Sequence, residues 1–329
     1  MAKSKVSLTP EQKEWLSKVV SDGTKFAKVP KEVLTEAFCL EVVKKEGYAL
    51  KYVPEALLTE AVCLAAVQQY YSALEFVPDA LKTEAVNLAA VQKNCTALQY
   101  VPDALKTEAL CRTAVLESEY GGMALEYVPD ALKTEEICLA AVKERSTALE
   151  FVPDALKTET VCLAAVQQDC QALQYVPDAL KTEAMCLTAM KENGQYLENV
   201  PDALKTEAVC LAAVQTSFTA LKYVPESLLT EAFCLTTVQQ YGVALEYVPD
   251  ALKSEAVCLA AVQQEGVALE YVPEAMKTEA LCLAAARQDG GKAPNKIRAC
   301  SMDYIPEGLK AKIKAALKDD NEKKKGSSS

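Results

Sequence analysis

Residues 52–75 read YVPEALLTEAVCLAAVQQYYSALE, and this stretch returns along almost the whole chain. Its Val-Pro dipeptide places prolines at 30, 54, 78, 102, 129, 153, 177, 201, 225, 249 and 273, and an Ile-Pro variant adds Pro306. The spacing is 24 residues, apart from an insertion near Glu119-Tyr120-Gly121-Gly122 and a longer one within Gly290 to Ser301. Both fall at repeat junctions and are expected in surface loops. A fixed period of this length is the signature of a stacked-repeat architecture.

Within one unit, Thr59 is a good N-cap, and Glu60 stands where a helix dipole favours an acid. The spacing predicts a helix from Glu60 to Gln69. On a 100° wheel Val62, Cys63, Leu64, Ala66 and Val67 share an apolar arc, and Ala61, Ala65, Gln68 and Gln69 share the opposite side. A second helical segment is expected from Ala73 to Lys82, with Leu74, Val77, Ala80 and Leu81 inward. Pro78 interrupts it and biases Val77 away from helix, so it should be two short pieces, the second with proline at its first position. No such unit can shelter its own apolar arc, but stacked units can. The expected fold is therefore all-α: an α-solenoid of about twelve 24-residue repeats, about 100 Å long at helix spacings of about 8–10 Å.

The expected organisation is an N-terminal capping helix and half-repeat over 1–29, tandem repeats over 30–305, a C-terminal capping helix over 306–318 and a disordered polar tail over 319–329. Thr9-Pro10-Glu11-Gln12 fits a capping box, and the only tryptophan, Trp15, lies in the first helix.

The run Leu259-Ala260-Ala261-Val262-Gln263-Gln264-Glu265-Gly266-Val267-Ala268-Leu269-Glu270-Tyr271 resembles the repeat family called domain of unknown function 4116. That family's pattern is a Leu-Ala-Ala-Val-Lys/Gln-x-Gly-x-Ala-Leu-x-Tyr run followed by an acidic turn containing Leu-Lys. The resemblance extends from about Thr24 to Ile305. The chain departs from the pattern in its Val-Pro dipeptide, its cysteine column and the loss of glycine from many loops. The resemblance implies helical repeats of a kind found in bacterial and protist proteins, some of them secreted effectors, and brings no catalytic residues.

The chain holds 35 basic and 46 acidic residues for a net charge of −11. Nucleic-acid binding needs a cationic surplus, so no nucleic-acid partner is expected. No apolar run approaches the roughly 20 residues that span a bilayer, so no membrane insertion is expected. Nor is there a signal-peptide core. With its thiols reduced, the chain is expected in the cytoplasm, and export by a route needing no signal peptide is compatible with these features.

There is no histidine, which removes the commonest general base and metal ligand. Side chains repeated every 24 residues form columns. Cys39, Cys63, Cys111, Cys138, Cys162, Cys186, Cys210, Cys234, Cys258 and Cys282 make one, with Asn87 in the gap. Stacked helices hold Cα atoms beyond the roughly 7 Å a disulfide tolerates, and a line cannot converge on zinc. These cysteines are expected to be small core residues. Cys95 and Cys170 lie between the helical segments and are expected to be exposed, reactive thiols.

An acid after each proline, with lysine three residues on, makes a periodic charged face: Asp79 and Lys82, Asp103 and Lys106, Asp130 and Lys133, Asp154 and Lys157, Asp178 and Lys181, and so onward. Like charges about 10 Å apart in water repel by only roughly 0.4 kcal/mol, so solvated stripes are tolerable. The face serves solvent or a periodic ligand. The aromatic column (Tyr52, Phe76, Tyr100, Tyr127, Phe151, Tyr175, Tyr223, Tyr247, Tyr271, Tyr304) exchanges Tyr for Phe freely and suits core or rim packing. The loops before each Ala-Leu vary most. There Tyr70, Tyr71, Arg145, Phe218 and Tyr241 are candidate partner contacts, exposed aromatics being common hot spots. Glycines in these loops suit helix C-caps.

No nucleophile, phosphate-loop, metal or cofactor motif is present. The expected function is a non-enzymatic scaffold that binds a protein partner, repetitive partners included. The alternative is a spacer or a subunit of a homopolymeric filament.

Overall fold

A computed structural model describes residues 8–289 and 301–326. These form two compact units divided between Gln168 and Asp169. All regular structure among them is helical. In the first unit the long helices Glu36–Val43, Glu60–Gln69, Glu84–Lys93, Glu108–Leu116, Glu135–Glu144 and Glu159–Gln168 stack in chain order. In the second, Glu183–Glu192, Glu207–Thr216, Glu231–Gln240, Glu255–Gln264 and Glu279–Gln288 do the same. The fold is an all-α solenoid built on the 24-residue period.

Each long helix begins as its sequence requires. The Thr59 hydroxyl accepts from the Val62 amide, and its counterparts Thr83, Thr107, Thr134, Thr182, Thr206, Thr230, Ser254 and Thr278 cap in the same way. Val62, Cys63, Ala66 and Val67 are buried, Leu64 and Ala65 are intermediate, and Ala61, Gln68 and Gln69 face outward. The expected arc is thus found, slightly narrower at Leu64.

The second segment is tighter than an α-helix. Residues Tyr71–Phe76 and Asp79–Leu81 are two 3₁₀ pieces. Val77 is extended (φ −77°, ψ 124°), as a residue before proline should be. Pro78 is the N-cap and not the first helical residue: its carbonyl accepts from the Leu81 amide at 2.8 Å. Ala73, Leu74 and Val77 are buried, whereas Ala80, expected inward, is exposed. A three-residue 3₁₀ turn presents one inward position, and Leu81 takes it. Full burial of one leucine contributes about 1.5–3 kcal/mol, and a leucine stands at the Leu74 position in ten repeats, with Phe26 and Met302 there in the first and last.

The loop glycines are not C-caps. None adopts positive φ. Gly47, Gly122, Gly194, Gly242 and Gly266 are buried beside Cys95, Ser146 and Cys170 in a column of small residues, interrupted by Tyr71 and Phe218. The reason is close approach. A Cβ on Gly47 would lie 2.6 Å from the Ala66 carbonyl oxygen, and one on Gly194 would overlap the Ala213 backbone. Gly194→Ala should therefore destabilise by about 1–3 kcal/mol in a urea titration. Gly308→Ala, on a helix with nothing within 4 Å, should be neutral or stabilising by up to about 1 kcal/mol. Equal losses at the two sites would refute the packing explanation.

The residue before each N-cap takes one of two conformations. In the first unit ψ is 60° at Lys82 and 70° at Lys157, but 109° at Leu58, 95° at Lys106 and 120° at Lys133. In the second, Lys205, Lys253 and Lys277 have ψ of 64°, 66° and 67°, Leu229 has 88° and Lys181 127°. The low-ψ form is an inverse γ-turn; at Lys157 the Thr158 amide donates to the Leu156 carbonyl at 2.8 Å. At most low-ψ links the cap hydroxyl also donates to the preceding helix's glutamate: Thr83 to Glu60 at 2.6 Å, Thr158 to Glu135 at 3.1 Å, Thr206 to Glu183 at 2.7 Å and Ser254 to Glu231 at 2.5 Å. Thr59 makes the same bond to Glu36 at 2.8 Å from an extended link.

At the N-terminus the capping box is present. Gln12 donates to the Thr9 hydroxyl at 3.2 Å, and the Thr9 amide donates to the Gln12 side chain at 3.0 Å. The insertion at Glu119–Gly122 is only half a surface loop: Glu119 and Tyr120 are exposed, but Gly121 and Gly122 are buried in the turn Gly121–Ala124. The C-terminal helix Glu307–Gly326 runs on through most of the expected disordered tail. The physical reason is docking. Arg287 pairs with Asp320 at 2.8 Å and Lys312 with Glu279 at 3.4 Å, on a run rich in good helix formers. Residues 290–300, which hold nearly all of the longer insertion, and 327–329 lie outside the described residues.

Candidate functional site

The charged columns pair as their i,i+3 spacing implies, but they do not form a solvated face. Lys82, Lys106, Lys133, Lys157, Lys181, Lys205, Lys253 and Lys277 lie 2.6–3.0 Å from the acids three residues before them. The acids, including Asp79, Asp103, Asp130, Asp154 and Asp178, are 75–88 % exposed, yet the lysine side chains are only 6–13 % exposed. The lysines are covered by the following repeat. Lys106 donates to the Tyr127 carbonyl at 2.8 Å, Lys133 to the Phe151 carbonyl at 2.7 Å and Lys181 to the Asn199 carbonyl at 2.6 Å. These three links have extended backbone, so the lysine reaches forward where the γ-turn is absent. The lysine column is covered, with Lys106, Lys133 and Lys181 as internal staples, and only the acidic column faces outward.

The cysteine column is buried, Cys63, Cys111, Cys138, Cys162, Cys186, Cys210, Cys234 and Cys258 included. Burial pushes the thiols of Cys39, Cys63, Cys138 and Cys210 up to about 11. Cys95 and Cys170, expected exposed and reactive, are buried as well. They occupy the small-residue column, where the next repeat covers them. The Cys95 thiol donates to the Tyr120 carbonyl at 3.1 Å. Cys170 is pushed up to about 12 by burial and then by the nearby Glu192 and Asp169 carboxylates.

The loop aromatics gather into two clusters, one in each unit. In the first, Tyr48 meets Phe76 edge-on at 5.1 Å and Tyr70 at 6.0 Å, and Tyr70 meets Tyr71 at 5.7 Å. Tyr70 is 46 % and Tyr48 39 % exposed, and Lys51 sits 4.3 Å above the Tyr48 ring. In the second, Phe218 lies 5.8 Å from Tyr241 and 6.2 Å from Tyr247. The Tyr241 hydroxyl donates to the Gln215 carbonyl at 2.9 Å. Four of the five candidate loop residues thus join aromatic clusters. Arg145 does not: it is exposed, and its Nε donates to the Thr147 hydroxyl at 2.8 Å.

Two exposed features escaped sequence reasoning. Tyr48 follows Gly47 in a loop of the same kind, and its neighbours Tyr70 and Tyr71 one repeat on were the available signal. Tyr120, 58 % exposed, and Met123, 42 %, stand at the short insertion, whose irregular spacing marked it. The aromatic column behaves as rim packing: Tyr52, Phe76, Tyr100, Tyr127 and Phe151 are half-buried. Among the described residues no helix is long and apolar enough to cross a membrane.

No curated protein and no solved structure matches the chain. The family model described as a domain of unknown function (DUF4116) matches residues 36–82, 59–106, 111–157, 158–205 and 230–277, each match covering two of the 24-residue units. With these matches spread over most of its length, the chain belongs to the DUF4116 family, as a tandem array of its helical repeats.

Proposed function

We propose that this repeat protein is a non-enzymatic scaffold that binds a protein partner through the two loop aromatic clusters. One observation carries the reading. Eight positions of the loop column hold small residues because the next repeat packs on them, and the two exceptions, Tyr71 and Phe218, each stand in a part-exposed cluster of rings. Aromatics fixed by neighbouring rings lose little freedom on binding, which is why Tyr and Trp dominate interface hot spots. The lack of histidine and the raised thiols support a role without catalysis, because a buried protonated thiol is a poor nucleophile.

The test is a pull-down from the source organism with wild type and with Tyr70, Tyr71 and Phe218 all changed to alanine. Hot-spot loss of about 2 kcal/mol or more should remove bound proteins while circular dichroism stays unchanged. Retention of every partner by the triple variant rules this surface out. A mass that rises with concentration in light scattering would favour the filament alternative.

A further inference from the structure

The column of small residues holds two cysteines in different surroundings. Cys95 follows Asn94, and its thiol donates to the Tyr120 carbonyl. Cys170 follows Asp169 and faces Glu192, and the charges acting on it are both carboxylates. One ligand atom from each of Asp169, Cys170 and Glu192 lies within 4.8 Å of the other two. All three residues belong to the second unit.

Stacking of the repeats does not require this set. Asp169 Oδ1 accepts from the Gln171 amide at 2.7 Å, but Asn94 and Asn193 do the same for Thr96 and Gln195 without a charge. Glu144, Thr216 and Gln288 accept from the amides of Gly122, Gly194 and Gly266, 22 residues before them. Glu192 stands in the same place after Cys170 but makes no such bond, and its carboxylate joins the cluster. The pattern breaks once more beside it. Tyr196 occupies a position that is alanine in nine other repeats. Burial first, and then Cys170, Asp169 and Glu192, oppose loss of its phenolic proton, so its hydroxyl stands near the same three groups.

Three acidic groups this close repel when ionised, unless a cation joins them. Sulfur together with two carboxylates selects a borderline ion such as Zn²⁺ over Mg²⁺, which takes oxygen ligands. Zinc bonds of about 2.0–2.3 Å put tetrahedral donors about 3.5 Å apart. Glu192 is exposed and Asp169 half-buried, so their carboxylates can close on an ion that enters from solvent. Cys170, 3 % exposed, forms the back of the site.

We propose that Asp169, Cys170 and Glu192 bind one zinc-like divalent ion, with the fourth position left to water. The Cys170 thiol loses its proton to solvent as the S–Zn bond forms, the two carboxylates displace zinc-bound waters, and nothing is oxidised or reduced. Calorimetric titration of the reduced full chain with Zn²⁺ tests it. Every sample carries Cys300→Ser, because that cysteine lies outside the described residues. One ion per chain is expected, and excess Mg²⁺ should fail to compete. Co²⁺ in its place should show thiolate-to-cobalt charge-transfer absorption in the near ultraviolet. Each variant brings in a residue that another repeat already uses at the same place, so the fold is kept: Cys170→Ser as at Ser146, Asp169→Asn as at Asn193, and Glu192→Gln as at Gln264. Each should weaken Zn²⁺ binding at least tenfold, and Cys170→Ser should abolish the cobalt absorption. Cys95→Ser should change neither. No saturable Zn²⁺ binding, cobalt absorption that survives Cys170→Ser or vanishes in Cys95→Ser, or undiminished binding by Asp169→Asn or Glu192→Gln overturns the proposal.

Discussion

Changing Lys133 to methionine is expected to lower unfolding free energy by about 2–3 kcal/mol, far more than a surface charge is worth. The ammonium donates to Asp130 at 2.8 Å and to the Phe151 carbonyl at 2.7 Å, from a side chain only 7 % exposed. Methionine keeps most of the apolar stem but leaves that carbonyl without its charged donor. Asp130→Asn removes only the 76 % exposed partner and should cost under about 1 kcal/mol. Lys205 supplies an internal control. It pairs with Asp202 at 2.8 Å at a γ-turn link instead of reaching forward, so Lys205→Met should fall between the two. Urea titrations of the three variants decide it. Equal losses for Lys133→Met and Asp130→Asn would place the stabilisation in the ion pair and refute the staple.

The second large effect is alkaline. Burial raises the thiols of Cys39, Cys63, Cys138 and Cys210 to about 11, and raises those of Cys111, Cys162, Cys186, Cys234, Cys258 and Cys282. An unfolded thiol ionises near 9.0. Between these values the folded chain holds more protons than the unfolded one, so stability falls as pH rises. The contribution is complete below about pH 9 and is lost on passing through about pH 11. Each thiol adds to the slope, so the array should lose its urea midpoint steeply over that window. Several tyrosines, Tyr100, Tyr127 and Tyr271 among them, are raised with the same sign. Changing Cys63, Cys138 and Cys210 together to alanine separates the contributions. An unchanged alkaline slope in that variant would show that the thiols are not responsible.

The period, the N-caps, the buried arc and the proline break were legible because each depends on residues within one unit. Thr59 caps its own helix, and Pro78 constrains its own neighbour. What was missed depends on the next unit. A helical wheel shows which way Lys82 points but not what roofs it. A signal existed: the three repeats lacking this lysine carry Leu34, Leu58 and Leu229 in its place, and a solvated position would not accept leucine so readily. The small-residue column held a similar clue, since Gly, Cys and Ser share little except size. Reading it as a capping position placed Cys95 and Cys170 in solvent. Of the candidate site, the aromatic loop residues could be named from sequence, but their meeting in clusters with Tyr48 and Phe76 is a property of the stack.

The two backbone forms before each N-cap bear on what can lie along these repeats. Lys82 and Lys157 turn tightly while Lys106 and Lys133 extend, so no one screw operation carries each module of the first unit onto its successor. The second unit, with Lys181 extended and Lys205 and Lys253 tight, is likewise uneven. A strictly regular filament or polymer laid against either unit would drift out of step within a few modules. Near-identical sequence therefore does not amount to a ruler, and recognition must come from local landmarks that break the pattern.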